Sequence, residues 1–277
     1  MIPVAVYFGY PDAMPKPTFD ELSEAAAFAV DAAFIAGRRT LSYFQTPVDI
    51  DRKDDGTPVT RADRECEQCL RRLIQQRFPE DGLLGEEYGE EAGSSGRTWI
   101  LDPIDGTKSF IHGVPLYAVL VALAVEREAV VGVIHLPGLG ETVSAFKGGG
   151  CQWNGRRARV STTAALDEAM VVTSDFPGVE QPGDRGEAAT RLYRAAHLRR
   201  TWGDAYGYAL LATGRADVMV DPIVAPWDVA AVQPIVEEAG GRFTSFDGEA
   251  TYDAGHAVGT NGLLHDAVLE ILGGGAS

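Results

Sequence analysis

Two aspartates three residues apart, Asp102 and Asp105, close an apolar run, Trp99-Ile100-Leu101, that reads as a buried strand. Pro103 lies between them, and Gly106-Thr107 leads into a segment that can form a helix. A strand ending at Leu101 delivers Asp102 to the carboxyl edge of a sheet, and Pro103 restricts its neighbours to a turn. Asp102 and Asp105 can then converge on one point. Carboxylates that close repel unless a cation lies between them, and hard oxygen ligands suit Mg²⁺. Backbone N–H groups of Gly106 and Thr107 at a helix start make a seat for phosphate. A structural reading competes: Asp102 as a strand-end turn residue and Asp105 as a helix N-cap.

A divalent ion takes more than two ligands. Leu83-Leu84-Gly85 is a short strand ending in Glu86 and Glu87. Adjacent residues on an extended chain point opposite ways, so one of the two reaches a given metal. Since Glu90 and Glu91 follow, a solvated acidic loop is the other reading. Asp228 falls in the first turn of a helix that Pro226 precedes, where a carboxylate favours the helix dipole. Asp63 opens another helix, after Lys53 to Thr60, and either Thr60 or Asp63 can cap it. Among five histidines no Ser-His-Asp set stands out.

The elements that must position these residues follow from periodicity. Residues 19–45 form an Ala-rich amphipathic helix, with Leu22, Ala25, Ala26, Ala29, Ala33 and Ala36 on one face. A second helix runs from Arg64 to Phe78, where Cys66 and Cys69 take core positions rather than forming a redox or zinc half-site. Val119–Val125 and Val130–Leu136 read as a hairpin, and the glycines at 148–150 with Asn154-Gly155 close a further antiparallel pair. The first half, about 19–160, is therefore helices on a largely antiparallel sheet. In the second, about 165–272, strands at Met170–Thr173 and Val218–Val220 alternate with helices at Glu187–His197, Gly207–Thr213 and Trp227–Glu238. Gly178 to Gly186 reads as a surface loop, and the Gly-Gly-Gly-Ala-Ser tail as disordered.

At 277 residues the chain can hold an ample core, and we expect one layered α+β/α/β domain over 1–277. A net charge of −16 disfavours nucleic acid and anionic membranes as partners. Three cysteines, an odd and small number, point to a reducing cytoplasm rather than a disulfide framework. The apolar N-terminus is short, broken by Pro3 and without basic residues, so we expect neither signal peptide nor membrane span.

Four segments in order, Pro58-Val59-Thr60-x-Ala62-Asp63, Gly85-Glu86-Glu87, Trp99 to Phe110 with its Asp-Pro-x-Asp-Gly-Thr, and Trp227-Asp228, resemble the inositol monophosphatase superfamily of Mg²⁺-dependent, lithium-sensitive phosphatases. The resemblance covers roughly residues 20–270. It implies that Glu86, Asp102 and the Ile104 carbonyl hold a first metal, that Asp102, Asp105 and Asp228 hold a second, and that Glu86 supports a third, looser ion. By the same resemblance, Thr107 and Asp63 orient and deprotonate the attacking water, with Glu86 acting through the metal, and a homodimer is expected. This suits phosphoryl transfer, which asks chiefly for positioning and charge neutralisation, so no nucleophilic side chain is needed.

The leaving-group side departs from the inositol-type pattern. In Thr201-Trp202-Gly203-Asp204-Ala205-Tyr206-Gly207-Tyr208, Asp204 replaces a small hydroxyl residue, and Asp221-Pro222 stands where those relatives often carry Glu and a non-proline. The pair looks like the histidinol-phosphate phosphatase branch, acting in histidine biosynthesis. That substrate carries an amine cation and an imidazole, which the carboxylates of Asp204 and Asp221 and the face of Trp202 would favour. Gly106, Thr107 and Ala205 complete the substrate-binding set. Asp204 can also be read as a helix N-cap. A broader inositol- or sugar-phosphate phosphatase, or a binding protein on the same fold without turnover, are the alternative functions.

Overall fold

A computed structural model describes residues 16–53, 56–175 and 183–273. The apolar N-terminal stretch, including Tyr7, Phe8 and Tyr10, most of the expected 178–186 loop and residues 274–277 lie outside the described residues. In chain order the elements are α1 (Phe19–Leu41), β1 (Ile50–Arg52), β2 (Pro58–Thr60), α2 (Arg61–Arg77), β3 (Gly82–Gly85), β4 (Gly89–Glu91), β5 (Arg97–Asp105) and α3 (Thr107–Ile111). Then come β6 (Ala118–Val125), β7 (Glu128–Leu136), β8 (Glu141–Phe146), β9 (Gly150–Trp153), β10 (Arg156–Arg157) and β11 (Met170–Val172). The remainder is α4 (Asp184–Ala195), β12 (Leu198–Arg200), α5 (Asp204–Ala212), β13 (Val218–Asp221), α6 (Pro226–Val229), α7 (Val232–Glu238), β14 (Arg242–Thr244), β15 (Ala257–Thr260) and α8 (His265–Gly273).

Two sheets alternate with helices. The first has the order β10-β9-β8-β7-β6-β5-β3-β4 and is antiparallel except where β3 runs parallel to β5. The second has the order β12-β11-β13-β15-β14, with β12, β11 and β13 parallel and the last two pairings antiparallel. Period-2 alternation sends Trp99, Leu101, Val119 and Val121 into a core with α1 and α2. Ile100, Leu120 and Ile134 face the other way, into a core with α5, α7 and the inner face of the second sheet. That sheet's outer face, with Val171, Val218 and Val258, is covered by α4 and α8. The layers are α, β, α, β, α, as the expected alternation requires.

Several expected boundaries move, each for a local reason. The first helix ends at Leu41 rather than 45, and the chain turns through Gln45 in the left-handed region at φ 59°. The strand expected at 99–101 runs on through Pro103 to Asp105, so Asp102 and Asp105 are not joined by a turn. Instead the register with β6 shifts between Asp102↔Leu120 and Asp105↔Ala118, placing one extra residue in β5. In a regular strand, residues three apart face opposite sides. The bulge returns both aspartates to one side.

The helix expected over Trp227–Glu238 is two pieces, α6 and α7, parted at Ala230 and Ala231. Pro234 has no N–H to donate to the Ala230 carbonyl, and its ring crowds that carbonyl. Helices expected at Glu187–His197 and Gly207–Thr213 start earlier, at Asp184 and Asp204. The strands β14 and β15 and the helix α8 close the second sheet beyond the elements read from periodicity. Cys66, Cys69 and Cys151 are buried free thiols, and Cys66 donates through Sγ to the Pro103 carbonyl at 3.3 Å. No described helix is long and apolar enough to cross a membrane.

The parting of α6 and α7 brings backbone hard against the first sheet. A Cβ on Gly132 of β7 would lie 2.0 Å from the Ala231 carbonyl oxygen. Gly132→Ala should therefore push the α6–α7 link off the sheet and cost about 1–3 kcal/mol, as overpacking does. Urea denaturation measures this, and an unchanged midpoint would show that the contact carries no such constraint.

Candidate active site

At the end of β5, Asp102 and Asp105 are buried, and each has one oxygen fixed by a backbone N–H. Ile104 donates to Asp102 Oδ1 at 3.0 Å, and Ala205, at the start of α5, donates to Asp105 Oδ2 at 2.5 Å. Asp228 in α6 is held likewise, its Oδ2 accepting from the Ala225 N–H at 2.7 Å. Carboxylate oxygens of Asp102, Asp105 and Asp228 lie within 4.8 Å of one another. Burial pushes the Asp102 and Asp105 carboxyls well above the ordinary value, and neighbouring charges push further: Glu86, Asp105 and Asp228 on Asp102, and Asp204 and Asp228 on Asp105. Asp228 is raised to about 7, chiefly by burial. These are hard oxygen donors whose repulsion a divalent cation relieves, and they fit one.

Asp105 is not the cap of α3, since Gly106 holds that position and Asp105 ends β5, whereas the capping readings at Thr60, Asp63 and Asp228 hold. Thr60 is the cap of α2, and Asp63 completes the capping box: its Oδ2 accepts from the Thr60 N–H at 2.8 Å and the Thr60 hydroxyl at 2.6 Å. Its other oxygen, Oδ1, lies 3.4 Å from the Thr107 hydroxyl. That hydroxyl also reaches the buried Ile104 carbonyl at 3.0 Å, leaving the carbonyl a second lone pair. Burial raises the Asp63 carboxyl above its usual range, against the Thr60 hydrogen bonds. Gly106, at φ 82°, turns the chain from β5 into α3 in a conformation that favours glycine.

Glu86 and Glu87 both turn to one lysine, although adjacent side chains on an extended chain diverge. Beyond β3 the chain turns through 86–88, and Lys53 Nζ binds Glu86 at 2.7 Å and Glu87 at 2.6 Å. Burial alone would lower the Lys53 pKa, but the two carboxylates hold it well above the usual value. Burial raises the Glu86 carboxyl against the pull of Lys53, and the Glu86 charge in turn helps to raise Asp102. The role of Lys53 went unread in the sequence because its partners lie more than 30 positions away.

A polar cavity of about 120 Å³ adjoins the aspartates, lined by Ser174, Asp204, Ala205, Tyr208 and Asp221 with Asp105 and Asp228. Asp221 Oδ1 accepts from the Ser174 hydroxyl at 2.7 Å, and Ser174 Oγ accepts from the Asp204 N–H at 2.8 Å. Burial raises Asp221 to about 7 and Asp204 to about 6, the latter helped by the Asp175 charge and opposed by Lys108. Asp204 is not the helix cap; Gly203 holds that position, and no side chain caps it. Asp204 adopts φ 53°, and its Oδ2 lies 2.9 Å from where a Cβ on Gly106 would stand. Tyr208, buried beside Asp221, makes no well-formed hydrogen bond through its hydroxyl. Trp202 is not among the lining residues: 42% exposed, its ring lies under the Arg200 guanidinium at 5.6 Å. Ser174 was missed, although a hydroxyl residue just past the carboxyl end of a parallel strand is a placement worth reading.

The family model described as the inositol monophosphatase family matches residues 21–273. A histidinol-phosphatase of Chlorobaculum parvum is 46% identical over 84% of this chain and 93% of its own length. One from Mycobacterium tuberculosis is 44% identical over 82% of this chain and 88% of its own. A fructose-1,6-bisphosphatase/inositol-1-monophosphatase of Thermotoga maritima is 38% identical over 77% of this chain and 82% of its own. The solved structure of a Thermotoga maritima IMPase superposes with a TM-score of 0.82 at 32% identity, covering 91% of this chain and 97% of that one.

The raised carboxyls make stability depend on pH. Unfolded, these aspartates titrate near 3.8; folded, Asp204 titrates at about 6 and Asp221 and Asp228 at about 7. The fold prefers them protonated, so their contribution is complete below about pH 4 and is lost as pH rises through 6 to 7. Metal-free protein should melt at lower temperature at about pH 8 than at about pH 5, and a divalent cation should restore more of the loss at the higher pH. A melting temperature that rises over this interval would contradict the assignment.

Proposed function

The chain belongs to the inositol monophosphatase family and is a phosphoric monoester hydrolase, and we propose that it converts L-histidinol phosphate to L-histidinol by Mg²⁺-dependent attack of water. One observation carries the reading: Asp105 and Asp228, which cluster with Asp102, line the same cavity as Asp204 and Asp221, all of them buried or half-buried. The first set, Asp102, Asp105 and Asp228, suits cations that face a phosphate. The second, Asp204 and Asp221, suits a cationic leaving group. Relatives that bear the name histidinol-phosphatase support the same substrate.

In this reading Asp102, Asp105 and Asp228 would hold one Mg²⁺, and Glu86, Asp102 and the Ile104 carbonyl another, with Glu86 open to a third. Bound there, Mg²⁺ supplies a more acidic water and neutralises charge on the entering and leaving oxygens. The Thr107 hydroxyl would orient the attacking water, and Asp63 Oδ1, 3.4 Å from that hydroxyl, would take up its proton. A carboxyl whose pKa burial has raised accepts a proton more readily than an ordinary one. Gly106 and Thr107 present backbone N–H groups to the phosphoryl oxygens. Across the cleft, Asp204 and Asp221 face the amine and imidazole of the substrate, and Ala205 shapes the wall between the two sets. Carboxyls that titrate near 6 and 7 gain most from a cationic partner. Trp202 serves at most as an outer rim.

We read the two sheets as one domain over 1–277, its halves at about 19–160 and 165–272, because one apolar core spans both. A homodimer in a reducing cytoplasm completes the reading. Three buried free thiols and the exposed Phe34, Ile35 and Leu41 of α1 support it.

Thr107→Ala should depress kcat far more than KM, since its hydroxyl positions water rather than substrate. A loss confined to KM would make Thr107 a phosphate-binding residue only. Histidinol phosphate should surpass inositol 1-phosphate in kcat/KM. Asp204→Ser should cost about ten- to a hundredfold on histidinol phosphate, the worth of one charge-assisted hydrogen bond, and spare a small uncharged ester. If the wild-type enzyme prefers inositol 1-phosphate, the substrate is wrong while the hydrolase chemistry stands.

A further inference from the structure

The turn that carries Glu86 and Glu87 is seated on a buried charge outside the cluster described above. Glu67, in α2 one helical turn after Asp63, is 0% exposed. Its Oε2 accepts from the Glu87 N–H at 2.8 Å, and its Oε1 from the Tyr88 N–H at 3.3 Å. Arg71, one turn further along α2, donates from Nε to the same Oε1 at 2.8 Å and is itself largely buried. Arg71 reaches past this bond to the Gly89 carbonyl, and its guanidinium lies 5.9 Å from the centre of the Tyr88 ring. The strand end fits around this pair. A Cβ on Gly85 would lie 2.0 Å from Glu67 Oε1, so only glycine lets the turn close over the carboxylate.

We propose that Glu67, held by Arg71, is a positioning residue that sets the 85–88 turn so that Glu86 faces the ion site while Glu87 pairs beside it with Lys53. The physical reason lies in what an extended chain would otherwise do. Adjacent side chains on a strand diverge, and two glutamates brought inward repel each other. Two backbone N–H groups bonded to one carboxylate hold the turn against that repulsion. The ion pair to Arg71 holds Glu67 in one orientation, and loss of either partner would leave an uncompensated buried charge. Asp63 and Glu67 stand at i and i+4 on α2, so one helix face holds both the proton acceptor and the support of the glutamate turn. This inference rests on the reading of Glu86 as a metal ligand.

Calorimetric titration with Mn²⁺ and Mg²⁺, alongside steady-state kinetics, tests it on the wild type, Glu67→Gln, Arg71→Lys and Glu86→Gln. Glutamine keeps the volume but offers one acceptor oxygen in place of two, so one N–H of the turn is left facing an amide. Glu67→Gln should weaken ion binding about ten- to a hundredfold, as loss of a residue that orients a ligand does. The effect should fall on the half-saturating metal concentration more than on the maximal rate. Arg71→Lys keeps the charge but lacks the planar fork, and should show the same shift in smaller degree. A purely structural role would lower the melting temperature and the active fraction while leaving metal affinity at the wild-type value, which overturns the proposal. If Glu86→Gln weakens metal binding and both α2 variants do not, the positioning role fails while the ligand stands. If Glu86→Gln itself has no effect on metal binding, the ligand assignment fails.

Discussion

Repulsion among buried carboxylates is the constraint around which this structure is arranged. One extra residue in β5 turns Asp102 and Asp105 to the same side, and α6 brings Asp228 to meet them. In water such a group would spread apart. Here it is held by a pattern that recurs at every member. Asp102 accepts from Ile104, Asp105 from Ala205, Asp228 from Ala225 and Asp63 from Thr60, each through a backbone N–H to one oxygen. One oxygen is anchored and the other is left for the site. Orientation therefore costs no further ordering when a ligand arrives, which is the condition for effective electrostatic stabilisation.

The anchors also explain why the site lies where the layers meet. Three of the four N–H donors belong to helix starts or the turns before them, where backbone donors have no partner within the helix. The first sheet supplies β5, the layer outside it supplies α2, and the layer between the sheets supplies α5 and α6. No single layer holds the cluster. The bond from Ala205 to Asp105 ties the middle layer to the strand end, and the approach of Gly132 to Ala231 sets the depth at which α6 docks.

The cavity beyond the aspartates is the other departure from ordinary folding economy. Asp204 takes a left-handed φ of 53°, unusual outside glycine, and its carboxylate is buried and turned toward Gly106. Strain of this kind persists only where the surroundings over-determine it. Here the surroundings are Ser174, which accepts from the Asp204 N–H, and Asp221, which fixes Ser174 in turn. If the cavity receives the leaving group, as proposed, its linked acids would discriminate by charge. That is a sharper criterion than shape alone, because a neutral ester leaves the acids unpaired.

Residue type and local spacing by themselves determined Asp102 and Asp105 as candidate ligands, the helix starts at Thr60 and Pro226, the alternation that orients both sheets, and the layered class. All of these are encoded within a few neighbouring positions. Glu86, the Ile104 carbonyl and Asp228 joined the ligands only through the family resemblance. The choice between cap and chemistry at Asp63 and Asp228 was undecidable at that range, since a carboxylate has two oxygens and the sequence names only the residue. In the tertiary structure one oxygen of each takes the capping bond, and at Asp63 the other faces the Thr107 hydroxyl. Tertiary structure also decided what depends on distant partners: the 86–88 turn seated on Glu67 of α2, Lys53 set between Glu86 and Glu87, and Trp202 left out of the cavity lining. The bulge in β5 belongs to the same group. Pro103 announces that something interrupts the strand, but only the pairing with β6 decides that the interruption is an extra residue rather than a turn. Periodicity reports which face a side chain takes in a regular element; where an element becomes irregular, its neighbours in space decide the face.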